Sequence, residues 1–348
     1  MYGPMHNYTL NYSPLSRSSF ADALASEILV LDGAMATMIM PIGLDEADFR
    51  GELFAGHDVV LRGCFELLCL TRPNLIAEIH RQYLDAGARI ISTNTFNANS
   101  LSLASRHLAG RVGEICRAGA EIARQAVDRY CAAQAISPDR RPFVAGSMGP
   151  GAVSLSSAAR LSDAEGSRKF DAVATACAEQ ATALIEGGVD LLLLETVFDT
   201  LNAKAASTGI QRAFQRVGKT VPLMISATLT EQGRLPSGGT LEEFIEAMRH
   251  SGAVSFGLNC CFGANALLPW VEQLSAISPG FVSVHPNAGL PDLEGRYRET
   301  PEQMAAAIAA MLRAGWVNIV GGCCGTTPEH IRLIAAEACR FQPRPSAH

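Results

Sequence analysis

The feature that most restricts the fold of this chain is a recurring boundary. Four times a helix-like stretch ends in a small residue and a glycine, and an apolar run follows. The pattern is Ala86-Gly87-Ala88 before residues 90–91, Gly187-Gly188-Val189 before 191–194, Ser251-Gly252-Ala253 before 255–258, and Ala314-Gly315-Trp316 before 317–320. Glycine in that place ends a helix in the left-handed conformation. A short apolar run behind it reads as a buried parallel strand. The spacing then carries the argument. Gly188 to Gly252 is 64 residues and Gly252 to Gly315 is 63. A (β/α)8 barrel of roughly 250 residues uses ~31 per unit, so ~62 is two units. The four glycines would precede strands two, four, six and eight. Gly87 to Gly188 is 101 residues, which leaves roughly 40 beyond two units. The stretch 101–139 is expected to be a lengthened helical layer.

The other strands fit between these, at 28–31, 143–145, 223–227 and 281–284. Helical spacing alternates with them. Leu75, Ile79 and Tyr83 recur every four residues behind Pro73, and Met304, Ile308 and Leu312 do the same before the last strand. Proline is tolerated at a helix start, and an i, i+4, i+8 row is the apolar stripe of a packed helix. Eight alternations predict an α/β fold, a single (β/α)8 TIM barrel; a doubly wound open sheet is the alternative. No linker divides the chain, so one domain is expected at 19–341, with a flexible N-terminal extension at 1–18 and a tail at 342–348.

Composition excludes several functions. With 48% hydrophobic and 18% charged residues, the chain can bury a large core. A net charge of -6 and a pI of about 5.8 argue against nucleic-acid binding, which needs a basic surface. No apolar run reaches the ~18 residues of a membrane span. The first 25 residues lack the basic-then-apolar pattern of a secretory signal. A cytoplasmic protein with reduced thiols is therefore expected, and its ten cysteines are too sparse for a disulfide scaffold.

Reactive groups of such a barrel sit just after the strands. Those positions include Asp32, Gly33, Thr93, Ser147, Glu195, Ser226, Asn259, His285 and two cysteine pairs, Cys260-Cys261 and Cys323-Cys324. The pairs follow strands six and eight, whose ends can converge on one ion. Three thiolates on zinc leave one tetrahedral position open, as in a catalytic site. Zinc with three thiolates is net negative, a poor activator of water, yet it can hold an incoming thiol as nucleophilic thiolate. A transferable methyl group is the simplest target. Asp32 and Glu195 would seat a substrate ammonium, and the Gly33 turn would offer N–H groups to a carboxylate. Rival readings are a closed structural zinc with His285 as fourth ligand, buried core cysteines, or a phosphate site in the Gly321-Gly322 loop. The last is weakened because residues 317–327 hold no Lys or Arg.

The motifs 29–35 (Leu-Val-Leu-Asp-Gly-Ala-Met), 92–97 (Ser-Thr-Asn-Thr-Phe-Asn), 195–205 beginning Glu-Thr-Val-Phe-Asp-Thr, 257–260 (Gly-Leu-Asn-Cys), 285–291 (His-Pro-Asn-Ala-Gly-Leu-Pro) and 321–328 (Gly-Gly-Cys-Cys-Gly-Thr-Thr-Pro) resemble the zinc-dependent homocysteine S-methyltransferases. Within them, the chain is most similar to the N-terminal homocysteine-binding module of cobalamin-dependent methionine synthase. The resemblance implies Zn2+ on Cys260, Cys323 and Cys324, with Cys261 a spectator. It implies homocysteine held by Asp32, Gly33 and Glu195; the strand-end residues Thr93 and Asn259 complete the candidate substrate set. It also implies methylcobalamin as donor, carried by a cobalamin- and folate-binding partner protein, since no such module fits in 348 residues. A stand-alone enzyme using betaine or a sulfonium donor, or a non-catalytic subunit that presents homocysteine, are the alternatives. Three stretches depart from the family pattern: Ala36 in place of glycine, Gly63-Cys64-Phe65-Glu66, and Gly149-Pro150-Gly151-Ala152. All are expected near the barrel mouth, where a donor approaches.

Overall fold

The structure is a computed structural model describing residues 17–151, 153–157 and 163–345. Of the expected N-terminal extension, residues 1–16 lie outside the described residues, as do Ala152 and the last three positions of the tail. Eight parallel strands form the predicted barrel: β1 (Leu29–Val30), β2 (Ile90–Ser92), β3 (Phe143–Met148), β4 (Leu191–Val197), β5 (Leu223–Ala227), β6 (Ser255–Gly263), β7 (Phe281–Asn287) and β8 (Ile319–Val320). Each pairs with its sequence neighbour, and β8 pairs with β1. The ring closes through a bridge from Leu31 to Ile90. There Arg89 N–H donates to Val30 O at 2.7 Å and Asp32 N–H to Ile90 O at 3.0 Å.

The pleat explains why these strands read as unbroken apolar runs. Side chains alternate between two faces, and both are dry. Val30, Ile91, Val144, Leu192, Ile225, Leu258, Val284 and Val320 face outward into the layer shared with the helices. Leu29, Leu31, Ile90, Phe143, Ala145, Leu191, Leu193, Met224 and Ile319 fill the barrel itself.

The helix Arg17–Ser26 plugs the barrel's base. Its Phe20 and Leu24 join the inner cluster, with the Phe20 ring edge-on to Phe143 at 5.0 Å. This helix covers the strand bottoms, where Phe143 and Leu29 would otherwise face water. The tail is likewise anchored at Arg344. That guanidinium donates to Ser275 O at 2.9 Å and Gly280 O at 3.1 Å, and its own carbonyl accepts from Asn318 at 2.7 Å. Within the expected helical insertion, Val112–Gln134 is a 23-residue helix packed over β3.

His80, on the helix Pro73–Asp85, is fully buried, and neither ring nitrogen has a hydrogen-bond partner. Burial disfavours the imidazolium and lowers its pKa from 6.5 to about 4. Between those values the unfolded chain binds a proton that the native protein does not. Stability is therefore fully present above pH 6.5 and is lost as pH falls toward 4. Replacing His80 with Leu is expected to flatten urea-derived stability against pH by up to about 1.4 kcal/mol per pH unit in that window. Parallel wild-type and variant profiles would refute the assignment.

Candidate metal centre

Above the inner apolar layers, the same alternation carries polar side chains into the barrel mouth. Two residues beyond Ile90 comes Ser92; beyond Ala145, Ser147; beyond Leu193, Glu195; and beyond Met224, Ser226. These groups bind one another. Asp32, directly after the β1–β2 bridge, accepts from Ser92 N–H at 2.9 Å and Ser92 Oγ at 2.7 Å. Glu195 accepts from Ser147 Oγ at 2.6 Å and Asn259 Nδ2 at 3.3 Å. Burial pushes Asp32 up to about 8, against the Ser92 hydrogen bonds. It pushes Glu195 up to about 7, against Ser147. Two buried carboxyls with no basic partner are prepared for a cation that arrives from outside.

β4 and β6 both lose regular register near the mouth, between Leu194 and Val197 and between Asn259 and Gly263. Each irregularity holds a non-glycine residue in the left-handed region, Thr196 at φ 58° and Cys260 at φ 55°. Such residues cost of order 1–3 kcal/mol and persist where surroundings over-determine them. Asn259 supplies that constraint. Its Oδ1 accepts from Thr196 N–H at 2.8 Å and Ser226 Oγ at 2.7 Å, and its Nδ2 donates to Thr196 Oγ1 at 2.8 Å. The bulge turns Cys260 toward the mouth. Its neighbour Cys261 turns away, buried, with its thiol on Asn259 O at 3.2 Å.

Cys323 and Cys324 arrive from β8. Their loop is pinned to β7 by Cys323 N–H on Pro286 O at 2.8 Å and by Cys324 N–H on Asn287 Oδ1 at 3.1 Å. It then turns at Gly325, φ 81°, where a side chain would strike the Tyr297 ring at 2.3 Å. The sulfurs of Cys260, Cys323 and Cys324 all lie within 4.8 Å of one another, with Cys260 and Cys324 at 3.5 Å. Zinc–sulfur bonds of ~2.3 Å in a tetrahedron require sulfurs about 3.8 Å apart, so the cluster fits. Charge fits as well. Hydrogen bonds from Cys260 and Cys323 favour a Cys324 thiolate, while the hydrogen bonds of Cys323 with Cys260 and Cys324, with burial, hold Cys323 far above its ordinary range. The protein groups alone do not support three thiolates here; a bound divalent cation would. His285 lies outside the converging set, so the closed four-ligand site is not formed.

Other expected site residues are placed as follows. Gly33 packs so closely that a Cβ would meet Thr326 Oγ1 at 2.5 Å and Tyr83 Oη at 2.8 Å. Thr93 points away from the mouth: its hydroxyl pairs with Thr95 Oγ1 at 2.6 Å and accepts from Ser147 N–H at 3.0 Å. Ser92, one residue earlier, faces Asp32 instead. Every hydrogen-bonding edge of Asn259 is already used within the protein, which makes it a positioning residue. Tyr297, whose hydroxyl neighbours Cys324, comes from the loop between β7 and the helix Pro301–Arg313; its distance from any strand end hid it from sequence reasoning.

Comparison with known proteins decides the family. The profile described as Homocysteine S-methyltransferase matches residues 29–338. The chain belongs to the homocysteine S-methyltransferase family. Among solved structures, the metallated form of the homocysteine methyltransferase MmuM from Escherichia coli is 25% identical with a TM-score of 0.69, covering 91% of this chain and 98% of that one. Its oxidized form is 25% identical with a TM-score of 0.68, covering 89% and 95%. In this chain the three-sulfur cluster lies close enough to the buried Glu195 carboxyl for the Cys324 sulfur to act on it electrostatically.

Proposed function

We propose that this chain transfers a methyl group to the thiol of homocysteine, giving methionine, with zinc held by Cys260, Cys323 and Cys324. One observation carries the reading: three sulfurs converge at the open end of the barrel above a layer that holds two buried carboxyls, Asp32 and Glu195. Bound there, zinc would keep the incoming thiol deprotonated at neutral pH. The protein does the rest. Asp32 and Glu195 orient the substrate ammonium, and Asn259 fixes the bulges that aim Cys260. The substrate sulfur forms its bond to the methyl carbon as the carbon–donor bond breaks, and the leaving pair stays with the donor.

A protein-borne methylcobalamin is our reading for the donor. Among the described residues, the large apolar side chains left exposed all follow strand C-terminal ends: Met40, Ile42, Leu53 and Val60 after β1, Leu101 after β2, Val153 after β3, Leu201 after β4, and Leu290 and Leu293 after β7. Exposed apolar groups on segments that follow strand C-terminal ends suit a docking macromolecule. The second reading is a stand-alone enzyme with a small-molecule donor such as a sulfonium compound or betaine; a solved homocysteine methyltransferase matched over 98% of its length supports a chain of this extent acting alone. Ten unpaired cysteines suit a reducing cytoplasm, and no described helix is long and apolar enough to cross a membrane.

Zinc analysis with zinc-edge X-ray absorption tests the site. One zinc with three sulfurs, rising to four on adding homocysteine, is expected. A zinc shell indifferent to homocysteine would overturn the reading. Methionine formation from methylcobalamin, S-methylmethionine or betaine, each offered alone, then assigns the donor.

A further inference from the structure

The polar layer at the barrel mouth contains one member to which no described residue hydrogen-bonds. Asp32 binds Ser92, Ser147 binds Glu195, and Asn259 binds Ser226, Thr196 and Glu195. His285 is 1% exposed, yet neither ring nitrogen has a hydrogen-bond partner. Its direction follows from the β7 pleat. Val282 and Val284 face the outer core, and Phe281 packs on the inner one, so Ser283 and His285 also point inward. The register agrees: Ser283 lies beside Ile319 of the inner cluster, and His285 beside Asn259. On the other side, β8 presents Gly321 at the level of His285, one step after the Val284–Val320 pair. The imidazole therefore projects into the axis of the barrel, in the layer that holds Asn259, just below the thiol cluster.

A buried polar group without a partner is costly, of order 1–3 kcal/mol for each group. On the inner face of β7, in the layer of Asn259, it calls for a ligand that completes it. The chemistry of the pocket says which part of the ligand. Asp32 and Glu195 answer an ammonium. The same carboxyls and the thiolates of the cluster repel a carboxylate, and among the described residues no lysine or arginine is a buried side chain. A substrate α-carboxylate must therefore be met by neutral N–H donors. Backbone groups at the Gly33 turn can supply some, and His285 is the side chain of this layer with an uncommitted ring N–H.

We propose that His285 is a substrate-binding residue that donates a ring N–H to the α-carboxylate of homocysteine, an assignment that rests on the proposed function. It makes the pocket selective for an amino-acid thiol over a simple aminothiol. Two unpartnered hydroxyls, Ser255 and Ser283, continue inward from His285 on β6 and β7. The competing account is a strip of internal water that satisfies all three without touching substrate.

The test compares homocysteine with 3-aminopropanethiol, which lacks only the carboxylate, and 4-mercaptobutyrate, which lacks only the ammonium. Dissociation constants are measured by calorimetry on zinc-loaded wild type, His285→Leu and His285→Gln, with zinc content and circular dichroism recorded for each. Loss of a hydrogen bond to a charged group is expected to weaken homocysteine and 4-mercaptobutyrate about 10- to 100-fold in His285→Leu. Affinity for 3-aminopropanethiol should stay within about twofold, and His285→Gln, which keeps an N–H donor, should restore part of the loss. Equal weakening of all three ligands, or unchanged homocysteine affinity, would overturn the assignment in favour of the water strip. Weakening confined to the two ammonium-bearing ligands would overturn it in favour of imidazole as an acceptor. Wild-type protein whose zinc ignores homocysteine would overturn this assignment together with the proposed function; that failure shows in the wild type, not in the variants.

Discussion

Replacing Cys323 with alanine is expected to remove zinc from the protein and to lower methyl transfer more than 100-fold, and Cys324→Ala should do the same. The partners of metal ligands alone are typically worth 10–100-fold in affinity or activity, so a direct ligand should exceed that range. Cys323 is central to the site: its thiol is within hydrogen-bonding reach of both other thiols, and Asn259 Nδ2 approaches its sulfur at 3.9 Å. Its loss leaves two thiols, too few to hold an ion and keep one position for substrate. The internal control is Cys261→Ala. That thiol is bound to Asn259 O on the far side of the bulge, so zinc stoichiometry and activity should stay within about twofold of wild type, with a stability cost on the order of 1 kcal/mol for a small buried cavity. Zinc measured by atomic emission, beside methionine formation, reads all three variants. Full zinc in Cys323→Ala, or loss in Cys261→Ala equal to that in Cys323→Ala, would refute the cluster.

That contrast between Cys260 and Cys261 marks what was legible in the sequence. The barrel was readable because its signals are periodic: glycine caps at two-unit intervals and apolar runs buried on both faces. The strand ends were less readable. β4, β6 and β7 continue past their apolar segments to Val197, Gly263 and Asn287, since alternation persists after hydrophobicity stops. Spacing brought both cysteine pairs to the mouth, but it left open which member of the first pair faces inward. A left-handed backbone at Cys260 settles that in the structure. No propensity signals such a conformation at a cysteine, because it is imposed by the Asn259 contacts to Thr196 across the barrel. The Phe20 plug was missed for a related reason: one amphipathic turn near the chain start gives no periodic clue that it faces a barrel's open base. Thr93 and Ser92 show the same limit at finer scale, where a shift of one residue in a strand exchanges inside for outside.

The second large effect combines a gain and a loss in one residue. Glu195→Gln is expected to stabilise the ligand-free protein while weakening homocysteine about 100-fold. Glutamine can keep the local bonds, accepting from Asn259 Nδ2 and donating to Ser147 Oγ, whose hydroxyl can turn to accept. What changes is charge. Burial raises Glu195 from 4.5 to about 7, so from pH 4.5 upward the native state holds a proton that the unfolded chain releases. Stability contributed by the neutral form is present at low pH and is lost as pH rises toward 7. Above that, the buried carboxylate costs about 3 kcal/mol at roughly 1.4 kcal/mol per pH unit. Glutamine removes the cost, so the difference in unfolding free energy between variant and wild type should grow from near zero at pH 4.5 to roughly that value at pH 8. The same substitution deprives the substrate ammonium of a buried counter-charge, and breaking one side of such a pair costs several kcal/mol. Homocysteine affinity should fall accordingly, while 4-mercaptobutyrate, with no ammonium, should bind the variant at least as well as wild type. Urea titrations at pH 4.5 and 8, with calorimetry of the two thiols, measure both halves. A variant that is no more stable at pH 8 would show that Glu195 is ionised and paired without substrate. One that binds homocysteine normally would leave Asp32 alone to hold the ammonium. On the proposed function, this carboxyl would hold a destabilisation that a bound substrate ammonium relieves, so that selectivity is gained at the expense of the fold.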